Sequence, residues 1–181
     1  MHKNFRKNRK TVRQILNHHF DRFGKCDRIK TLASHLKMPT LFFEKKDEEK
    51  TMIPERLAAL REKMRAYGVD AYLVPTADYH ESEYVGTYFK ARTYITGFTG
   101  SAGTAVITQD EACLWTDGRY FVQAAKELAG TGVTLMKMGQ EGVPTVEEYL
   151  QANTKEGMTI GFDGRVVNEM LGETLEKTLP E

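Results

Sequence analysis

The sequence predicts an α/β fold, a mixed or parallel β-sheet covered by helices, over residues 52–181. Three observations predict it. Short apolar runs alternate with helix-spaced apolar stripes from Pro54 onward, and turn-forming residues punctuate almost every junction. The composition, 40% hydrophobic and 28% charged, is that of a globular protein able to bury a core. A length of 181 residues accommodates one such domain and a tail.

The elements follow in order. Leu57, Leu60, Met64 and Tyr67 recur at helical spacing, with Pro54 placed to open the helix and Gly68 to end it as a C′ residue. Residues 71–74 form a short apolar strand closed by Pro75. Residues 78–84 are polar and irregular, and a short helix is expected around 89–95. A glycine-rich turn, 97–103, leads into a strand at Thr104–Thr108, which a turn at 109–111 joins to a strand at 112–115. Asp117 and Gly118 then cap a helix whose expected buried face is Phe121, Ala124, Ala125 and Leu128. After a strand at 133–138, Thr145-Val146-Glu147-Glu148 reads as a capping box that opens the next helix. A strand at 159–162 and a last helix with the stripe Val167, Met170, Leu171 and Leu175 complete the pattern. The tripeptide Asp-Gly-Arg stands at two strand-to-helix junctions, 117–119 and 163–165, which reads as shared cap chemistry rather than a repeat.

Charge divides the chain unevenly. The net charge is +1, yet residues 1–50 hold 14 Lys and Arg against 6 Asp and Glu, a balance of +8. Residues 51–181 hold 12 against 19, a balance of −7, and four of the five histidines (His2, His18, His19, His35) lie in the first fifty. This break marks a boundary near Lys50 and makes residues 1–50 a basic, weakly ordered extension. Within it, residues 13–23 could form a short basic amphipathic helix; a nucleic-acid or acidic-partner arm is one reading. The other is an extension upstream of a natural start at Met52. The overall charge points to neither nucleic acid nor a membrane surface. Cys26 and Cys113 have no CxxC partner, so neither a disulfide framework nor zinc spacing is present, and Cys113 reads as a buried, reduced strand residue. No apolar run approaches transmembrane length, no apolar segment follows the basic start, and a cytoplasmic location is expected.

Several motifs suggest chemistry. The 97–103 turn looks like a phosphate loop, but it leads into a strand where such a loop opens a helix, so it reads as a close approach of backbone to backbone. Ser82 and Ser101 lack a nucleophile elbow, and His80 is the only histidine beyond residue 50. His80 with Glu81 and Glu83 could hold a metal, but acids on such a loop are usually solvated, and a hydrolytic centre needs three or more converging ligands. Arg119 and Tyr120 follow Asp117 at a helix start, where the dipole disfavours a cation. Arg119 therefore calls for a carboxylate partner: Glu83 or Asp78 internally, or a group on another domain or a substrate.

Three ordered stretches together carry a resemblance: Asp78-Tyr79-His80-Glu81-Ser82-Glu83-Tyr84, then residues 95–105, then residues 114–120. Over 52–181 the chain resembles the N-terminal domain of Xaa-Pro aminopeptidases (aminopeptidase P); residues 1–50 match nothing in it. The resemblance implies an RNase-H-like, creatinase/prolidase-type α/β domain. The parent enzymes release the N-terminal residue from Xaa-Pro peptides at a two-metal site, usually manganese, held by two Asp, one His and two Glu of a C-terminal pita-bread domain. This chain stops short of that domain, so it is expected to hold no catalytic residue and no metal and to be inactive alone. It would be a fragment, a truncated gene product or an isolated domain acting in subunit assembly and gating of the cleft. Its implied partner is the catalytic domain or a sister subunit of a homo-oligomer. The implied contact residues are His80, Glu83, Tyr84, Phe98, Ser101, Asp117, Arg119 and Tyr120. A free-standing interaction module of the same fold is the alternative, and a prolidase- or creatinase-type relative would share the architecture.

Overall fold

A computed structural model describes residues 46–178 of the chain. The expectations for the rest of the basic extension, including Cys26 and the 13–23 helix, lie outside the described residues. Among the described residues five helices and five strands follow one another: α1 (Lys46–Tyr67), β1 (Ala71–Pro75), α2 (Ala91–Thr96), β2 (Thr104–Thr108), β3 (Ala112–Thr116), α3 (Phe121–Leu128), β4 (Thr134–Lys137), α4 (Val146–Asn153), β5 (Ile160–Phe162) and α5 (Glu169–Thr178). Short 3-10 turns at Thr87–Phe89 and Gly118–Tyr120 lead into α2 and α3.

The strands form one mixed sheet in the order β4-β3-β2-β1-β5. Strand β2 runs antiparallel to both neighbours, whereas β3 pairs parallel with β4 and β1 parallel with β5. Strands β1, β3, β4 and β5 therefore point the same way, and the loops that follow them emerge at one edge of the sheet, together with the loop that enters β2.

Both faces are covered, as the near-continuous apolar strands require. Ile53, Leu57, Leu60 and Met64 of α1, Ile95 of α2, and Ala124 and Leu128 of α3 pack on Val74, Ala105, Ile107, Ala112 and Leu114. On the opposite face Tyr149 and Leu150 of α4 and Leu175 of α5 pack on Leu73, Val106, Cys113 and Trp115. Cys113 is buried and unpaired, and burial pushes its thiol pKa up. Trp115 donates its indole N–H to the Pro144 carbonyl at 2.7 Å, which seats the loop ahead of α4. The capping box is present: the Thr145 side chain accepts from Glu148 N, and Glu148 returns the bond to Thr145 N. Gly68 sits at φ +65 and ends α1 in a Schellman arrangement, with Val69 N bonding to Met64 O and Gly68 N to Arg65 O.

Several expectations change in detail. Pro54 does not open α1 but lies inside it. Proline removes one helical donor, but Ile53 and Leu57 beside it are buried, and tertiary packing holds the helix through it. Lys50 adds a bond from Nζ to the Lys126 carbonyl at 2.7 Å. Tyr67, Ala125 and Met170 are exposed rather than part of buried stripes, and Val167 is buried ahead of α5 instead of within it. Asp117 caps a 3-10 turn before α3 begins.

Candidate functional site

The glycine turn is built around a buried cation. Arg92 of α2 is 3% exposed and lies over the Phe98 ring, 4.7 Å from its centroid. Its Nε donates to Thr76 Oγ1 at 2.7 Å, Nη1 to the Phe98 carbonyl at 3.1 Å, and Nη2 to the Gly100 carbonyl. Thr76 Oγ1 passes the interaction on by donating to the Gly103 carbonyl at 2.8 Å, and Thr116 Oγ1 donates to Ala102 O at 2.7 Å. Burial lowers the Arg92 pKa to about 10, an effect that Glu127 opposes. The turn thus directs its carbonyls inward, and its exposed Thr99 amide already bonds to Glu127 Oε2 at 2.8 Å. A phosphate loop needs free amides; this turn has carbonyls facing a cation and a carboxylate on an amide.

Close contact explains the glycines. A Cβ on Gly103 would meet the Trp115 carbonyl at 2.8 Å, and one on Gly100 would meet Phe98 and Tyr120 side-chain atoms at 2.3 and 2.8 Å. Phe98 is accordingly wholly buried, edge-on to Tyr120 at 5.8 Å, so its expected place on a contact surface is corrected to the core. Ser101 is half-buried and shares a 2.7 Å hydrogen bond with the Tyr120 hydroxyl.

The 78–84 loop stands beside this turn. The Asp78 carboxylate accepts from the backbone amides of His80 at 2.8 Å and Ser82 at 3.0 Å, and these bonds hold its pKa below the usual carboxylate range. His80, Glu83 and Tyr84 are exposed, as are Tyr79 and Tyr88 nearby. Tyr79 and Tyr88 both pack edge-on against Phe89.

Across from the loop, Arg119 clasps Asp117: Nε to Oδ1 and Nη2 to Oδ2, each 2.9 Å, with the Arg119 amide on Oδ1 at 3.0 Å. Glu83 lies 3.6 Å from Nη1, and Asp78 is engaged with its own loop. The carboxylate that Arg119 required is thus mainly its own cap residue, one that sequence reasoning assigned only to the backbone. Three side chains were missed as site residues: Arg92, Tyr88 and Arg165. The helical spacing Arg92, Ile95, Thr96 signals a buried face for Arg92, and the second Asp-Gly-Arg signals Arg165. All of these groups converge on one sheet edge because the strands that precede them run in parallel.

Among the described residues no three His, Cys, Asp or Glu side chains gather as metal ligands, and His80 is the sole described histidine. The described residues do not fit a dinuclear hydrolytic centre. Among the described residues, no helix is long and apolar enough to cross a membrane.

Comparison with known proteins adds to this geometry. A model of the creatinase/prolidase N-terminal domain family matches residues 56–181. Aminopeptidase P2 of Arabidopsis thaliana is 40% identical over 137 residues, 75% of this chain and 19% of its own length. A protein named "Probable Xaa-Pro aminopeptidase P" from Talaromyces marneffei is 49% identical over 128 residues, 68% of this chain and 19% of its own. The chain therefore spans about a fifth of the length of these relatives. The X-prolyl aminopeptidase of Caenorhabditis elegans, described as a cytosolic enzyme with a di-nuclear active site, superposes with a TM-score of 0.61 at 34% identity, over 71% of this chain and 22% of that one. The creatinase/prolidase-like N-terminal domain of a Corynebacterium diphtheriae protein shares the fold, with a TM-score of 0.52 at 23% identity over 71% of this chain and 89% of that one.

Proposed function

The chain belongs to the creatinase/prolidase N-terminal domain family, and on that footing we propose that it is the non-catalytic N-terminal domain of an Xaa-Pro aminopeptidase. In this reading its sheet-edge loops dock a catalytic domain or sister subunit and limit access to the active-site cleft. The carrying observation is the convergence on one edge of exposed Tyr79, Tyr84, Tyr88, His80 and Arg119, in a chain that spans a fifth of its relatives. Tyrosine and arginine dominate contact energetics at protein interfaces, and loops on a rigid sheet are the usual place for such contacts. The buried arginine beneath the glycine turn supplies the rigidity. In this reading the chemistry belongs to the partner.

The two manganese ions, the homo-oligomer and the cytoplasmic location belong to this proposal as properties of the longer enzyme. Purified chain supplied with manganese and an Xaa-Pro peptide should release no amino acid. Metal-dependent turnover by the chain alone would overturn the reading. Joined to the catalytic region of a relative, the chain should restore cleavage that the region alone lacks; no restoration would count against a gating or assembly role.

A further inference from the structure

The two Asp-Gly-Arg segments form the same clasp with different outer edges. Arg119 and Arg165 each donate backbone N and Nε to the Oδ1 of the aspartate two residues earlier, at 3.0 and 2.9 Å in both cases. Each guanidinium lies 5.3 Å from a tyrosine ring centroid, Tyr120 for Arg119 and Tyr88 for Arg165. The Nη1 groups differ. Arg165 Nη1 donates to the Tyr88 hydroxyl, and its side chain is 26% exposed. Arg119 is 61% exposed, and Glu83, itself 55% exposed, lies 3.6 Å from its Nη1, beyond hydrogen-bonding distance.

A guanidinium offers five N–H donors in a fixed plane, and a carboxylate is the acceptor that matches them in pairs. At Arg119 the Asp117 clasp uses the Nε edge and fixes the plane, which leaves the Nη1 donors pointing to solvent with a loose carboxylate beside them. An exposed pair at that separation is weak and exchangeable.

We propose that Arg119 is a docking residue for a carboxylate, an Asp or Glu side chain on the polypeptide that seats against this sheet edge, with Glu83 as the internal stand-in that the partner displaces. Arg165 is its closed twin, its Nη1 engaged by the Tyr88 hydroxyl. The inference rests on the edge being a docking surface, but its test does not need the partner. Nitrogen-15 NMR of the arginine side chains would follow the intact chain during titration with acetate, against chloride at equal ionic strength. In the E83Q chain the Arg119 resonances should move with acetate and not with chloride, at a several-fold lower acetate concentration than in the parent chain. Arg165 should stay still in both. An Arg119 that ignores acetate in E83Q, responds equally to chloride, or moves no further than Arg165 would overturn the proposal. Failure of the docking reading would show separately, as no recovery of cleavage when the parent chain is joined to a catalytic region, whereas recovery that R119M leaves unchanged would overturn the role given to Arg119.

Discussion

Replacing Arg92 with methionine tests whether the glycine turn is held by a buried cation. Three bonds from a charged donor are lost, to Thr76 Oγ1 and to the Phe98 and Gly100 carbonyls. Bonds to a charged group contribute ~1.5–3 kcal/mol each, so the gross loss is roughly 4–9 kcal/mol. Methionine also removes a desolvated charge. A guanidinium pKa drawn down by burial to about 10 corresponds to a cost of ~3 kcal/mol for keeping the folded side chain charged. The difference leaves R92M less stable by about 3 kcal/mol, with two carbonyls orphaned in the core. In urea the midpoint should fall with an unchanged slope, and the melting temperature should drop by roughly 10 °C. Lysine at the same position keeps the charge but cannot reach three acceptors from one ammonium, so R92K should be no better than R92M. Stability of R92M within ~0.5 kcal/mol of the parent, or R92K equal to the parent, would refute the reasoning.

Other positions test the same structure from different sides. G103A places a Cβ 2.8 Å from the Trp115 carbonyl, a backbone atom that cannot swing away, and should cost ~1–3 kcal/mol in urea unfolding. T145A removes the acceptor for the Glu148 amide and should cost about 1 kcal/mol by the same measurement. The Asp78 pKa is lowered in the folded chain, so its ordering of the loop is present above the unfolded value of 3.8 and lost as pH falls through the folded one. The His80 and Ser82 amide resonances should therefore begin to broaden only below about pH 4, and D78N should remove that step.

Much of the fold was legible because its signals are local. The strand at Thr104–Thr108, the Thr145 capping box and the Gly68 helix stop depend on residues within a few positions of one another, and each appears as expected. Pro54 and Met170 were misread because their roles depend on what lies across from them. The first is carried by a helix packed on the sheet, and the second points where no partner reaches. Phe98 was the larger misreading. The resemblance puts Phe98 on a contact surface, but the turn folds inward over Arg92 and takes the ring into the core.

By itself the sequence determined the α/β class, the family resemblance and the list of loops that matter, since periodicity, caps and ordered motifs are written in neighbouring residues. Only the tertiary structure decided that those loops share one edge, that Arg92 is buried beneath them, and that Arg119 is clasped while Arg165 is closed. The reason is the antiparallel placement of β2 between β1 and β3. It brings the entry to one strand beside the exits of the others, and contacts between residues far apart in the chain follow from that pairing rather than from local preference.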